Sequence, residues 1–416
     1  HIKSSHLAFI GALIYAFSFF TIDSTYFFHF IDVIAVFPLI PYLVYEVLEK
    51  RKQCLLSLAV LLNGMINYYF LVPTSVFFLI YLFFRVNFSE NKYTFRDALR
   101  CIIFYALGGF SAMFVLLPSL LSLLETNKAT GSFASSLLRG LGTIPQLLKV
   151  IKGIVLPGEG ILGSATGFEF SNFNSNSCFL PFFGAIFLFV AVRRKSNKWY
   201  YKLIKLLLII TIIPFGNGLF SFFTNMSYTR WWYAFVLMGT LASIKILEEK
   251  PTEEEIRKSA KSVWILSVVV VGIPLILKLI CAYLFPEALN ILPEGAVNYL
   301  SNAGLTDKFN TSDLRYCIVF LIMMAISYIP LFFSLKKGWI YNGRKVVPAV
   351  AMICIVSYTC YLANESNIFE KPEIYRGHDT SVTDEVSYTH RTDYDYSFAN
   401  YPQIANEPGI SGFISF

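Results

Sequence analysis

Charge is scarce in this chain. Only 15% of its 416 residues are Asp, Glu, Lys or Arg, against 56% hydrophobic and 17% aromatic. A soluble globular chain carries about a quarter charged residues, so an ordinary water-facing surface is excluded. Also missing are a Gly-rich phosphate loop, an HExxH pair, a serine elbow and a zinc signature, which leaves soluble nucleotide-using chemistry without an anchor. The seven cysteines form no CxxC pair and no metal-ligand spacing. Cys54, Cys101, Cys281, Cys317 and Cys354 are among those inside or at the ends of apolar runs and read as small core residues. There is no internal repeat, low-complexity tract or coiled-coil heptad.

What is present is a succession of apolar runs: 7–22, 28–48, 54–70, 74–86, 101–123, 179–193, 203–222, 229–247, 263–285, 315–335 and 346–363. A bilayer crossing takes about 20 apolar residues, so these predict an all-α polytopic membrane protein with about eleven transmembrane helices. The pair 54–70 and 74–86 is the shortest for the task. Basic clusters follow alternate runs, at 49–52, 85–100, 193–205, 248–261 and 336–345. Lysine and arginine are retained on the cytoplasmic side, and all five clusters share one side if every run crosses once. The net charge of +7 is therefore topological, with no support for nucleic-acid binding. The loops 124–178 and 286–314 and the tail after 363 are expected on the outer face of a bacterial plasma membrane.

Two domains are expected. Residues 1–363 form the transmembrane domain, within which 124–178 is too long for a plain connector. Its stretch 132–156 interleaves Arg139, Lys149 and Lys152 with aliphatic residues, the pattern of a helix lying in the interface. Residues 157–177 are rich in Gly, Ser and Asn and read either as a loop that orders over a substrate or as a linker. After Ala363 the chain turns polar, with alternating stretches at 385–389 and 394–398, and 364–416 is expected to begin an external β-rich domain. The start at His1 rather than Met, with no signal-like segment, reads as a piece of a longer protein.

Hydrocarbon tolerates polar groups where they are paired or line a wet cavity, so polar residues at the outer ends of the runs are the candidates for function. PFGNGLFSFFTNMSYTRWWY, at 214–233, carries Asn217, Asn225, Ser227 and Arg230 beside Trp231 and Trp232. The planar fork of Arg230 suits two phosphate oxygens of a lipid head; the same residues also suit a membrane anchor. His29 and Asp32, three apart, share a helix face, with Asp23 in the loop before them. A carboxylate there is a general base or the ligand of a divalent cation, unless Asp32 merely favours a helix N-terminus. Lys278 lies some seven residues inside the outer end of its run and needs an anionic partner unless it snorkels. Asn67, with Tyr68 and Tyr69, closes a run at the same face and suits a sugar or diphosphate. Asp32, Asn67, Arg230 and Lys278 are thus expected to converge on one outward cavity.

The chain resembles the bacterial YfhO family of membrane proteins, polytopic glycosyltransferases of the GT-C type. The resemblance rests on HLAFIGALIYAFSFF…HFIDVIAVFPLIPYLVYEVLEKRK followed by NGMINYYF, on PFGNGLFSFFTNMSYTRWWYAF, and on IYRGHDT…FANYPQIANEPGISGFISF. It implies a GT-C-like fold and an enzyme that takes a polyprenyl-phosphate sugar as donor and builds a teichoic-acid-like envelope glycopolymer on the outer face. Arg230 and Lys278 would bind the donor phosphate, and His29, Asn67, Tyr69, Asn217 and Asn225 would line the cavity. The family's catalytic acid usually follows the first span, a segment expected upstream of His1, which leaves Asp32 as a second carboxylate. The resemblance implies no nucleotide; its partners are the lipid donor, the acceptor polymer and membrane lipids. A lipid-linked saccharide flippase or transporter is the competing class, and the runs show neither repeated halves nor broken helices that would favour it.

Overall fold

The computed structural model describes residues 2–26, 28–118, 144–158, 177–220, 229–284 and 311–369. All regular structure among them is helical, with no strand. The chain divides into two units, His1–Asn364 and Glu365–Phe416. The expected β-rich tail lies outside the described residues, except that 364–369 continue the last helix.

The first span is interrupted: α1 (Ser5–Ala16) stops, Ser18 accepts the Thr21 amide at 3.3 Å, and α2 (Phe19–Asp23) resumes. α3 (Phe28–Val36) and α4 (Leu39–Leu48) make the second, with Pro38 at their junction. α5 (Gln53–Ile66) and α6 (Tyr68–Phe88) meet at Asn67, whose carbonyl Oδ1 accepts the Tyr69 amide at 3.1 Å. The apolar runs 54–70 and 74–86 placed that turn between residues 70 and 74. Instead the Asn67 cap starts the helix early and Pro73 lies inside it, as membrane helices tolerate. α7 (Phe95–Ser111) opens with a capping box between Thr94 and Asp97. Then come α8 (Ile144–Val155), α9 (Ile186–Arg193), α10 (Trp199–Ile212), α11 (Pro214–Leu219), α12 (Trp232–Glu248), α13 (Glu253–Leu279), α14 (Thr311–Lys336) and α15 (Gly343–Phe369).

Five helical segments among the described residues are long and apolar enough to cross a membrane: Ser5–Asp23, Phe30–Leu48, Tyr68–Phe88, Glu253–Leu284 and Gly343–Tyr361. Gln53–Ile66 and Leu321–Lys336 are apolar but shorter. At 1.5 Å per residue the 14 residues of α5 reach only about 21 Å. Between membrane helices there is no hydrophobic driving force, so close packing of small residues replaces it. Gly108 shows this: a Cβ there would lie 2.4 Å from the Ser57 carbonyl oxygen, so only glycine lets α7 approach α5 this closely.

One expected span is not a continuous helix. Of 179–193 only α9 is helical, and residues 177–185 run irregularly through the core, fully buried. Non-helical backbone survives at membrane depth only where the protein itself satisfies it. Here Cys178 donates its amide to the Gly153 carbonyl at 2.7 Å, the Phe179 carbonyl accepts the Phe19 amide at 3.1 Å, and Gly184 donates to the Leu180 carbonyl at 2.6 Å. Phe182 and Gly184 both have positive φ, 69° and 52°. The expectation that no helix is broken is corrected at this segment and at Phe17–Ser18.

The five basic clusters are linked, one to the next, by side-chain contacts. Glu49 accepts hydrogen bonds from Tyr93 at 2.7 Å and Asn91 at 3.0 Å. Arg85 lies over the Trp199 ring at 4.6 Å, and Lys202 over Phe88 at 3.8 Å. Arg194 grips Glu255 with two bonds, at 2.8 and 3.1 Å, and also meets Glu249. Lys250 lies over the Tyr341 ring at 5.7 Å. All five therefore gather at one end of the bundle, called here the basic end.

Glu249 ties this end together. Burial raises the pKa of its carboxyl, but bonds from Lys198, Tyr200 and Tyr201 outweigh that and hold it below the usual carboxylate value. The Tyr93 bond likewise lowers Glu49. A carboxylate depressed in the folded state stabilises it above the unfolded pKa and loses that contribution as pH falls through the folded value. The melting temperature is thus expected to drop between about pH 5 and pH 3, and Glu249→Gln should show a smaller drop in thermal scans. An unchanged slope in the variant would count against this account.

Candidate functional site

The site is at the end opposite the basic clusters. Antiparallel packing of the first span against α12 fixes its depth. The Lys3 amide donates to Glu248 at 2.6 Å, Gly11 abuts Ile244, and the rings of Phe20 and Tyr233 lie 6.3 Å apart. The same register carried onward puts Asp23 level with Arg230.

Arg230 is 7% exposed, and its guanidinium carbon lies 5.3 Å from the Phe30 ring centre and 5.7 Å from that of Tyr69. Three elements build this cluster: the first turn of α3, the first turn of α6 and the residues leading into α12. Phe30 also meets Phe70 edge-on at 4.7 Å, which fixes the ring under the cation. The Asn67 cap orients the turn that carries Tyr69.

The rest of the passage at 214–233 works internally. Trp231 donates its indole N–H to Asn217 Oδ1 at 2.9 Å and stacks on Phe220 at 4.0 Å. Asn217 donates in turn to the Thr211 carbonyl at 2.8 Å. One end of its amide thus holds α11 to α10 and the other to the start of α12, rather than standing open to a cavity. Trp231 and Trp232 are 1% and 0% exposed, whereas belt tryptophans sit at the lipid–water boundary. The Tyr233 hydroxyl pairs with Thr74 at 2.9 Å, and its ring meets Phe37 at 4.6 Å.

The other candidates are placed as follows. Asp32 is exposed on α3. Two residues beyond Phe30, it is turned about 200° around the helix from the face that meets Arg230. Lys278 is 5% exposed near the end of α13. Its helix packs on α8 and α9, whereas Arg230 is framed by α3 and α6. His29 stands in the first turn of α3, and its side chain lies outside the described residues, as does Asn225 entirely. No group of three or more His, Cys, Asp or Glu among the described residues could hold a metal ion.

One site member, Phe30, was missed in the sequence, and another, Asp23, was noted only as lying in the loop before Asp32. Phe30 reads as one apolar residue among many, and nothing in its spacing singles it out. Asp23 is only 7% exposed although it ends a helix, and Gly158 abuts it so closely that a Cβ would lie 3.0 Å from both carboxylate oxygens. A carboxylate at the end of an apolar run was the available signal.

A family model described as "Bacterial membrane protein YfhO" matches residues 1–397. The chain belongs to the YfhO family. No curated protein and no solved structure matches it. The match takes in every YfhO residue of the Arg230 cluster and the linked basic end, so both are features of a family member rather than of an appended segment.

Proposed function

We propose that this YfhO protein is a membrane glycosyltransferase that moves a sugar from a polyprenyl-phosphate donor to an envelope glycopolymer of the teichoic-acid type. The work is done on the outer face. The observation that carries this reading is the burial of Arg230 between Phe30 and Tyr69, beside two buried tryptophans. An interfacial anchor would present these groups to lipid. A guanidinium held on ring faces keeps its N–H edge directed in the plane, where two phosphate oxygens fit.

In the reaction, the acceptor hydroxyl oxygen attacks the anomeric carbon while the bond from that carbon to the phosphate oxygen breaks. The polyprenyl phosphate leaves with added negative charge, which Arg230 is placed to stabilise, with Lys278 as the second cation in this reading. The hydroxyl proton goes to a carboxylate. Asp23 and Asp32 are the described carboxylates near this end; Asp23 is buried and level with Arg230, and Asp32 is turned away. A donor-binding role for Tyr69 is supported by its ring against Arg230, and one for Asn67 by the cap that sets the same turn. His29 and Asn225 enter as cavity residues by resemblance alone, and a divalent cation is not required by these steps.

A lipid-linked saccharide flippase is the second reading, favoured by the interrupted first span and the irregular buried segment at 177–185. The full-length protein in vesicles, given a polyprenyl-phosphate sugar and acceptor polymer, separates the two. The transferase yields a new glycosidic bond, detected as sugar label in the polymer. Movement of the lipid head without label transfer would sink the transferase.

A further inference from the structure

A second arginine is buried at the basic end, on the same helix α6 whose first turn meets Arg230. Arg85 stands in the last turn of α6 and is 3% exposed. Its guanidinium carbon lies 4.6 Å from the Trp199 ring centre and 5.2 Å from that of Tyr45. Tyr81, one turn deeper on α6, packs edge-on against Trp199 at 5.5 Å and closes the floor of this aromatic cage. Rings attract a cation but accept none of the five N–H bonds that a guanidinium offers.

One of those donors is left buried and unsatisfied. The Nε of Arg85 is buried without a hydrogen-bond partner, and no described carboxylate forms an ion pair with it. The neighbouring acids are committed elsewhere. Glu49, whose carboxylate feels the charge of Arg85, accepts Tyr93 and Asn91. Glu46 pairs with Lys52 at 3.5 Å, and Glu249 with Lys198 and Arg194. Glu90 is exposed in the loop after α6. A buried charge without an acceptor is among the most costly arrangements in a protein, and an anion supplied from outside is what relieves it.

We propose that Arg85 is the base of an anion site that takes the phosphate of an anionic membrane phospholipid at the basic end. Lys202, whose ammonium sits over Phe88 one turn beyond Arg85, is the second cation at its rim. Two observations favour a lipid over a free phosphate. Tyr42 and Phe83, on the same two helices α4 and α6, are 44% and 57% exposed on a surface that reads as lipid-facing. Basic residues gathered at one end of a bundle also mark the leaflet in which anionic headgroups attract them. This site is independent of the transferase reading, because it lies at the opposite end from Arg230.

The test uses the full-length protein in nanodiscs of phosphatidylcholine, with and without about one-fifth phosphatidylglycerol. Phosphatidylglycerol is expected to raise the melting temperature of the wild type by about 5 °C, as a ligand specific to the folded state does. It should also remain bound in native mass spectra. Arg85→Met, which keeps the stem, should lose both the shift and the bound lipid, and an undiminished shift would overturn the proposal. If Arg85→Met does not fold, Arg85→Lys keeps the charge but not the fork and should at least halve the shift; a full shift would again overturn it. Equal protection by inorganic phosphate in detergent would reject the lipid as the source.

Discussion

Replacing Arg230 with alanine is expected to lower sugar transfer by about 100- to 1,000-fold, the cost of removing one preorganised group that stabilises developing charge. The magnitude follows from where the residue is held. Arg230 is 7% exposed between two ring faces, so its field acts through little water and needs no rearrangement as the phosphate leaves. Lysine at the same place keeps the charge but replaces the planar fork with a point charge on a flexible stem, so Arg230→Lys should recover only part of the rate. The measurement is kcat/KM for label transfer from the polyprenyl-phosphate donor in membranes, alongside the melting temperature. A structural role would lower the melting temperature of Arg230→Ala and leave transfer per folded molecule near wild type; that outcome removes Arg230 from the chemistry. Asn217→Ala is the informative control. It breaks the Trp231 bond and loosens the passage, but touches no phosphate, so it should cost stability more than rate.

The sequence carried a good deal of this arrangement. Apolar runs mark helices because the bilayer demands internal satisfaction of every backbone group, and basic clusters mark one end because charge is costly to move across. Arg230, Asn67 and Tyr69 were legible as a group because each is polar or amphipathic at a run's end. The face that each presents was not legible. Asp32 and Phe30 are two residues apart on α3, and only the packing of that helix shows that Phe30 meets Arg230 while Asp32 is turned away. Asn217 was legible as polar but not as spent, since its partners are a backbone carbonyl and an indole six and fourteen residues distant. Arg85 was hidden inside a basic cluster that reads as topological. Its neighbours Tyr45 and Trp199 come from distant parts of the chain, which periodicity cannot bring together.

The irregular segment at 177–185 escaped for a different reason, and Gly184 provides its test. Residues 179–192 are apolar throughout, which fits a spanning helix; Pro181 and Gly184 were the only breaks in that pattern. In the fold, Gly184 has φ of 52°, and a Cβ there would lie 2.2 Å from the Tyr328 hydroxyl oxygen and 2.4 Å from its ring. Gly184→Ala therefore meets two penalties. The left-handed backbone costs about 1–2 kcal/mol for a residue with a Cβ, and forcing a methyl into a packed core costs about 1–3 kcal/mol more. The sum is a large part of the stability of an ordinary domain, so little folded protein is expected in membranes. Truncating Tyr328 distinguishes the two penalties. It removes the ring but not the backbone conformation, so Gly184→Ala should cost less in a Tyr328→Ala background, by the steric share alone. The coupling between the two substitutions, read from denaturation in detergent, should be about 1–3 kcal/mol. Additive effects would mean that Tyr328 does not hold this segment. The Ala185 amide, which donates to the Tyr328 hydroxyl at 3.4 Å, makes that lock the point where the irregular backbone joins α14.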